Sequence, residues 1–430
     1  KIARVAANTN NVYSFQYLNA LQGSNRNYKA NVPFDDIHKA SKIYLIGSEI
    51  NEENGVASFM VNKAQTHHRI PVESLTTKAD SSISHKVDKE MKISSYYHFV
   101  KAVNHYLLSQ GLQNSLFIKD KCDNFEAYKK QLLEENFDEL VEKSGICCQD
   151  HLIEFAENYN KELNAVIIFS ERNISPRTGT ELFNLAMMTG KMGKTASGLL
   201  SLKEKNNSQG IFDMGVGPNT GVGGQSLDDS RFTKKLKKVW GVDKLPELPD
   251  KSNLELLDKG IINKMYIFGE DPVGCAIDSE RVEKWFGDAD FIMVQDYFFT
   301  ETAKEADLIL PATMPVETSG TFTNTIRYIQ QFEKQLDSKV EKENYQQLLE
   351  MLKNFDVNGL SNPEEIRKEA ISLLPENLQF EYTFEYTDEN NPDFRLFKHG
   401  CDAVVKYFDD EVERAFSDKK KEPEYAQVNK

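Results

Sequence analysis

The sequence contains no apolar run approaching the roughly 18 residues that a helix needs to cross a bilayer, so no membrane-spanning helix is expected. Positive charge is not in excess either. Its 52 Lys and Arg stand against 67 Asp and Glu, for a formal net charge of −15. An acidic chain lacks the basic face that a phosphate backbone requires, which argues against nucleic acid as a partner. The five cysteines, Cys122, Cys147, Cys148, Cys275 and Cys401, include no C-x-x-C pair. Cys147 and Cys148 are too close for an ordinary zinc or iron–sulfur framework, so free thiols are expected, and no cluster held by this chain alone. None of the eight histidines, His67 and His68 included, shows metal-ligand spacing with a carboxylate. No G-x-S-x-G elbow supports a hydrolase. Nor does the chain open on Met. Lys1 comes first with no signal-peptide pattern after it, and a piece of a longer chain is the expectation.

With 40% hydrophobic and 28% charged residues the balance is that of an ordinary globular protein, and 430 residues are too many for one simple core. Residues 265–330 organise the chain. Three short apolar runs there, at 265–268, 291–294 and 308–310, alternate with helix-like segments, as in βαβ units of a parallel sheet. A polar group follows each: Gly269-Glu270-Asp271-Pro272, Gln295-Asp296, then Pro311. In open α/β sheets the ligand crevice lies beyond the carboxyl ends of the strands, which places a candidate site in these loops. Glu270 and Asp271 could hydrogen-bond a base or a ribose; equally, Asp271-Pro272 could open a turn.

Elsewhere, spacing and composition predict helices at 15–21, 34–40, 54–65, 96–109, 125–142, 151–162, 179–189, 345–352, 363–374 and 402–415. Strands are expected at 42–46, ending at Gly47, at 70–72, at 165–169 and along 380–386. Residues 190–224, rich in Gly, Asn and Ser, read as a long functional loop. Met187 and Met188 read as core. Gly193-Lys194-Thr195 resembles the end of a P-loop, but Met188 stands where a Gly is required and a helix precedes it. Gly215-x-Gly217-x-x-x-Gly221 misses the dinucleotide fingerprint by one residue. The expected partition is a first α/β domain over 1–163, a second carrying the main motifs over 164–345, and a helical and edge-strand extension with a charged tail over 346–430.

Four signatures in the organising stretch are specific in order and gaps: Gly269-Glu270-Asp271-Pro272; Gln295-Asp296-Tyr297-Phe298-Phe299-Thr300-Glu301-Thr302-Ala303; Ala306-Asp307-Leu308-Ile309-Leu310-Pro311-Ala312; and Glu317-Thr318-Ser319-Gly320-Thr321-Phe322-Thr323-Asn324. A second block, Asn184-Leu185-Ala186-Met187-Met188-Thr189-Gly190 followed by Asn206-Asn207-Ser208-Gln209-Gly210, agrees with them. Together they resemble the molybdopterin oxidoreductase superfamily. The resemblance implies an α/β fold: two Rossmann-like parallel-sheet domains of the formate dehydrogenase domain 2–3 type, with a short helical C-terminal extension. Members with a working cofactor bind guanine dinucleotide arms in loops like those after Phe268 and Val294. For this chain the resemblance implies Gly47, Gly269, Glu270, Asp271, Pro272, Gln295, Asp296, Thr300, Thr302 and Asn324 as cofactor-contacting positions, vestigial unless molybdopterin guanine dinucleotide is bound.

The departures matter as much. Members carry a metal-ligating Cys or selenocysteine, then His, shortly after an Asn-Asn-Val segment like Asn10-Asn11-Val12. Aligned there, this sequence has Asn19 and Ala20, with Tyr17 in place of a nearby Arg. Formate dehydrogenases have Arg-Gly-Gln near the metal where this chain has Lys203-Glu204-Lys205. Asn and Ala supply neither thiolate nor imidazole, so no catalytic and no metal residue is expected. In these losses, and through Asp35-Asp36-Ile37 followed by the strand to Gly47, the chain resembles most the C-terminal region of the large peripheral-arm subunit of NADH:quinone oxidoreductase (complex I). That resemblance implies a scaffold without a catalytic centre or cofactor of its own. Iron–sulfur clusters would lie in an N-terminal part, and other peripheral-arm subunits of the respiratory complex would be the partners. The location would be cytoplasmic, peripheral on the inner face of the cell membrane, without membrane insertion. The alternative is a fragment of a formate dehydrogenase-like molybdenum or tungsten oxidoreductase that binds a guanine dinucleotide arm. A redox-silent α/β interaction module is a third reading.

Overall fold

The computed structural model describes residues 1–15, 32–203, 205–355, 357, 359–374 and 382–388. Five strands, β1 (Lys42–Ile46), β2 (Val72–Thr76), β3 (Lys89–Lys92), β4 (Ala165–Ser170) and β5 (Gly198–Leu202), form one sheet in the order β3-β2-β1-β4-β5. All pairs are parallel, with Leu45 opposite Ser74 on one side and Ile168 on the other. The near-continuous apolar runs of β1 and β4 follow from burial on both faces. Ile43, Leu45, Val166 and Ile168 pack beneath helix α1 (Gly55–His68), through Ala57, Val61 and Ala64. Tyr44, Ile46, Ile167 and Phe169 point the other way. They meet helices α2 (Tyr96–Ser109), α3 (Phe125–Leu133), α4 (Phe137–Ser144), α5 (Gln149–Lys161) and α6 (Pro176–Met188).

The boundary expected at 163/164 runs through this sheet, because the helical excursion from α2 to α5 returns the chain to β4 beside β1. The single helix expected at 125–142 is two. The first ends at Leu133, and Asn136 caps the second, its side chain accepting from the Asp138 and Glu139 amides. The strand expected at 70–72 begins only at Val72 and runs on to Thr76 as β2. Residues 190–224 are not one loop: they hold β5 and a short helix, α7 (Ser208–Asp213). Only five residues long and itself containing Gly198 and Ser201, β5 is fixed by its ladder with β4, which local composition does not register. Met187 and Met188 are core.

The second sheet has three parallel strands, β6 (Lys264–Phe268), β7 (Phe291–Asp296) and β8 (Leu308–Pro311), in that order. They follow the three predicted apolar runs. Met265, Ile267, Ile292 and Val294 pack on α8 (Ser279–Gly287) through Val282, Trp285 and Phe286. An antiparallel hairpin follows, β9 (Gly320–Thr323) with β10 (Ile329–Phe332), closed by Phe322 stacked on Phe332 at 4.8 Å. Sequence pattern alone does not predict that hairpin. Helices Asn344–Asn354 and Pro363–Leu373 lie where expected. Tyr382–Thr383 pairs with Cys122–Asp123, and Phe384 is fully buried against Tyr128. The rest of the 15–21 helix beyond Phe15, the 402–415 helix, the charged tail, Tyr17, Asn19, Ala20, Glu204 and Cys401 lie outside the described residues. No helix among the described residues is long and apolar enough to cross a membrane.

Candidate functional site

The carboxyl ends of β6 and β7 bring together eight of the expected positions. Gly269 leaves β6 with φ +63°, a left-handed conformation that suits glycine, and its amide donates to the Gln295 carbonyl at 2.9 Å. A Cβ there would meet nothing within 4 Å, so the backbone faces open space. Asp271 is 4% exposed. Its Oδ1 accepts from the Thr302 amide at 2.9 Å, the Thr302 hydroxyl at 2.7 Å and the Gly274 amide at 3.2 Å. Thr302 Oγ1 in turn accepts from the Val273 amide at 3.0 Å. Asp271 therefore opens the turn at Pro272 and staples the loop after β6 to the loop after β7. Its other oxygen, Oδ2, is buried without a hydrogen-bond partner.

Asp296 is 7% exposed and accepts from the Phe298 amide at 3.0 Å. Burial pushes its carboxyl up, against the Phe298 and Tyr297 amides, and the charge of Asp271 adds to the rise. Two carboxylates thus share one crevice. Gln295 is tied to Gln347 at 2.9 Å, and Thr300 caps the helical turn at Ala303. Glu270 turns elsewhere: it accepts from the Ser14 hydroxyl and from the Phe15 amide at 3.0 Å, pinning the N-terminal segment beside the crevice. Burial raises its carboxyl, while these bonds and the charge of Lys205 oppose the rise. Ser14 and Gln347 are site neighbours that no sequence motif singles out. Separations such as the 255 residues between Phe15 and Glu270 leave no local signal for them.

Two expected positions lie elsewhere. Gly47 sits at the end of β1, where strand order reverses between β1 and β4, the usual crevice of a doubly wound sheet. This chain's own side chains bridge that point. Glu53 accepts from Asn173 at 2.8 and 3.0 Å, and Glu49 accepts from Ser82 and Ser81. Asn324 holds the hairpin corner, its side chain accepting from the Ile326 and Tyr328 amides at 3.1 and 2.9 Å. Next to that corner, Lys203 is paired with Glu171, its side chain only 2% exposed, and Arg327 meets Asp213 at 3.1 Å. The Gly-rich turn at 215–221 is clamped by buried Arg4, which donates to the carbonyls of Gly215, Gly217 and Thr220. That turn is structural.

Residues 3–354 match the molybdopterin oxidoreductase family. The chain belongs to that family. Among its relatives, a protein described as a putative formate dehydrogenase of Staphylococcus haemolyticus is 30% identical over 359 residues, covering 79% of this chain and 36% of the relative. One of the same description from Staphylococcus aureus USA300 is 30% identical over 354 residues, with the same coverage. The chain thus spans about a third of the length of these relatives. In fold it is similar to acetylene hydratase from Pelobacter acetylenicus, with a TM-score of 0.57 at 14% identity over 82% of this chain and 51% of that one. As a molybdopterin oxidoreductase chain, it can be tested for fit to the family's dinucleotide. A guanine edge and a ribose both present hydrogen-bond donors. The unpartnered Asp271 Oδ2, the neighbouring Asp296 carboxylate and the open Gly269 backbone suit them. Among the described residues no group of three or more His, Cys, Asp and Glu side chains is placed to hold a metal ion.

Proposed function

We propose that this chain is part of a formate dehydrogenase-like molybdopterin oxidoreductase, and that the crevice after β6 and β7 holds the guanosine end of a molybdopterin guanine dinucleotide. The observation that carries the reading is Asp271. One carboxylate oxygen is fully committed to Thr302, while the other is buried with no partner at the carboxyl end of a parallel strand. A buried acceptor left unpaired costs about 1–3 kcal/mol, a cost that a ligand donor removes. Asp271 and Asp296 would bind and orient the base or ribose. Gly269 would let the ligand approach the backbone, and Thr300 and Thr302 would hold the two loops in register. The acceptor-rich set favours guanine, with its N–H donor edge, over adenine.

The test is calorimetric titration of the chain with GDP and with ADP. GDP binding tighter than ADP is expected. Asp271→Asn keeps an oxygen for Thr302 but turns a donor toward the ligand, and should weaken GDP by about tenfold to a hundredfold. Equal affinity for the two nucleotides, or no GDP binding at all, overturns the reading.

The second reading is the scaffold region of a large peripheral-arm subunit of a complex I-type NADH:quinone oxidoreductase, docked among neighbouring subunits, with iron–sulfur clusters elsewhere in the longer chain. The buried Lys203–Glu171 pair supports it, because it fills with a self-satisfied ion pair the place where formate dehydrogenases carry an Arg near the metal. The two readings part on guanine nucleotide: the scaffold binds none.

A further inference from the structure

Four of the five cysteines are described, and their surroundings differ. Cys275 is buried. Burial, with Asp123 beside it, pushes the Cys122 thiol up to about 12. Cys147 and Cys148 are exposed, in the turn between α4 and α5. Of these two, Cys147 has a base in reach: its Sγ lies 3.6 Å from His151 Nδ1. The spacing is built in. Cys148 is the cap residue of α5, and its carbonyl accepts from the His151 amide at 3.1 Å, which sets the imidazole on the first turn facing back toward Cys147. One turn on, Glu154 is paired with Lys89 at 2.9 Å, which holds its carboxyl low. Thiol and imidazole thus face each other at the start of a 13-residue helix. A thiol with a base in hydrogen-bond reach is the arrangement that activates a nucleophile.

We propose that Cys147 is a reactive thiol that exchanges with small-molecule disulfides. The thiol proton passes to His151 Nδ1, and the Cys147 thiolate attacks one sulfur of the disulfide. A Cys147–S–S–R bond forms as the R–S–S–R bond breaks, and one RS⁻ leaves. The Cys147 sulfur passes from the thiol to the disulfide level as the departing sulfur passes from the disulfide to the thiol level, so the exchange balances without a further oxidant. Cys148 is equally exposed but lacks the imidazole, and so serves as a reference within the molecule.

The experiment incubates the reduced chain briefly with oxidised glutathione and quantifies adducts at each cysteine by peptide mass spectrometry. Cys147 should be modified about tenfold faster than Cys148. His151→Ala, a change on an exposed surface, should bring the two rates together while leaving the thermal melting temperature unchanged. Equal rates in the unmodified sequence, or a preference for Cys147 that survives His151→Ala, overturns the proposal.

Discussion

Neighbouring side chains with the same formal charge do different work here. Glu270 and Asp271 are adjacent, yet Glu270 fastens the N-terminal segment through Ser14 and Phe15, while Asp271 fastens two loops and keeps one oxygen spare. The sequence leaves Asp271 divided between turn-former and ligand residue, and the structure gives its two oxygens these two situations separately. Lys191 makes the same point for a cation. It is 3% exposed, donates to the Glu162 carbonyl at 2.8 Å at the end of α5, and lies over the Tyr159 ring. Burial, aided by the charge of Lys194, lowers its pKa to about 8 from 10.5. Between those values an unfolded lysine is protonated and the folded one is not, so unfolding takes up a proton. Stability should therefore rise with pH from about 8 toward 10.5, by at most about 1.4 kcal/mol per pH unit. Urea unfolding across that window checks it: Lys191→Met should remove this contribution, and an unchanged pH slope would contradict the account.

At the scale of elements, what is legible in a sequence depends on how locally an element is determined. The runs at β6, β7 and β8 are apolar and bounded by turn residues, so their alternation with helices can be read directly. β5 is hidden, because its five residues sit in a Gly- and Ser-rich stretch and are held by pairing with β4. The hairpin of β9 and β10 depends on Asn324 bonding two amides across its corner, with Arg327 at φ +61°, and no Gly or Pro announces that turn. Gly47 is the reverse case: it reads as a strand end, and three-dimensional packing sets its demand. Its φ is +57°, and a Cβ would lie 2.5 Å from Ile174 Cγ2 at the entry to α6. Gly47→Ala meets both backbone strain and overpacking and should cost about 2–5 kcal/mol. A lower urea midpoint at constant m-value is the expected result, and an unchanged midpoint would show that the β1–α6 junction yields.

Across the whole molecule, contacts distant in sequence close the structure. Arg4 clamps the 215–221 turn, and the segment at 382–388 returns to α6, where the Thr387 hydroxyl donates to buried Glu181 at 2.6 Å. The family signatures make the site's location readable, since all the quoted motifs after 265 fall at the ends of β6, β7 and β8 or in the hairpin. They do not show which crevice is free. The switch point at Gly47 is bridged by Glu53 and Asn173, whereas the end of β6 keeps an unpaired acceptor. The central claim concerns that second crevice, and the most direct measurement is nucleotide analysis of the full-length protein purified from its own cells. Acid treatment followed by chromatography with mass detection should release GMP in proportion to protein, and Asp271→Asn should lower the yield. Full-length protein that releases no guanine nucleotide would contradict the claim and leave the scaffold reading in its place.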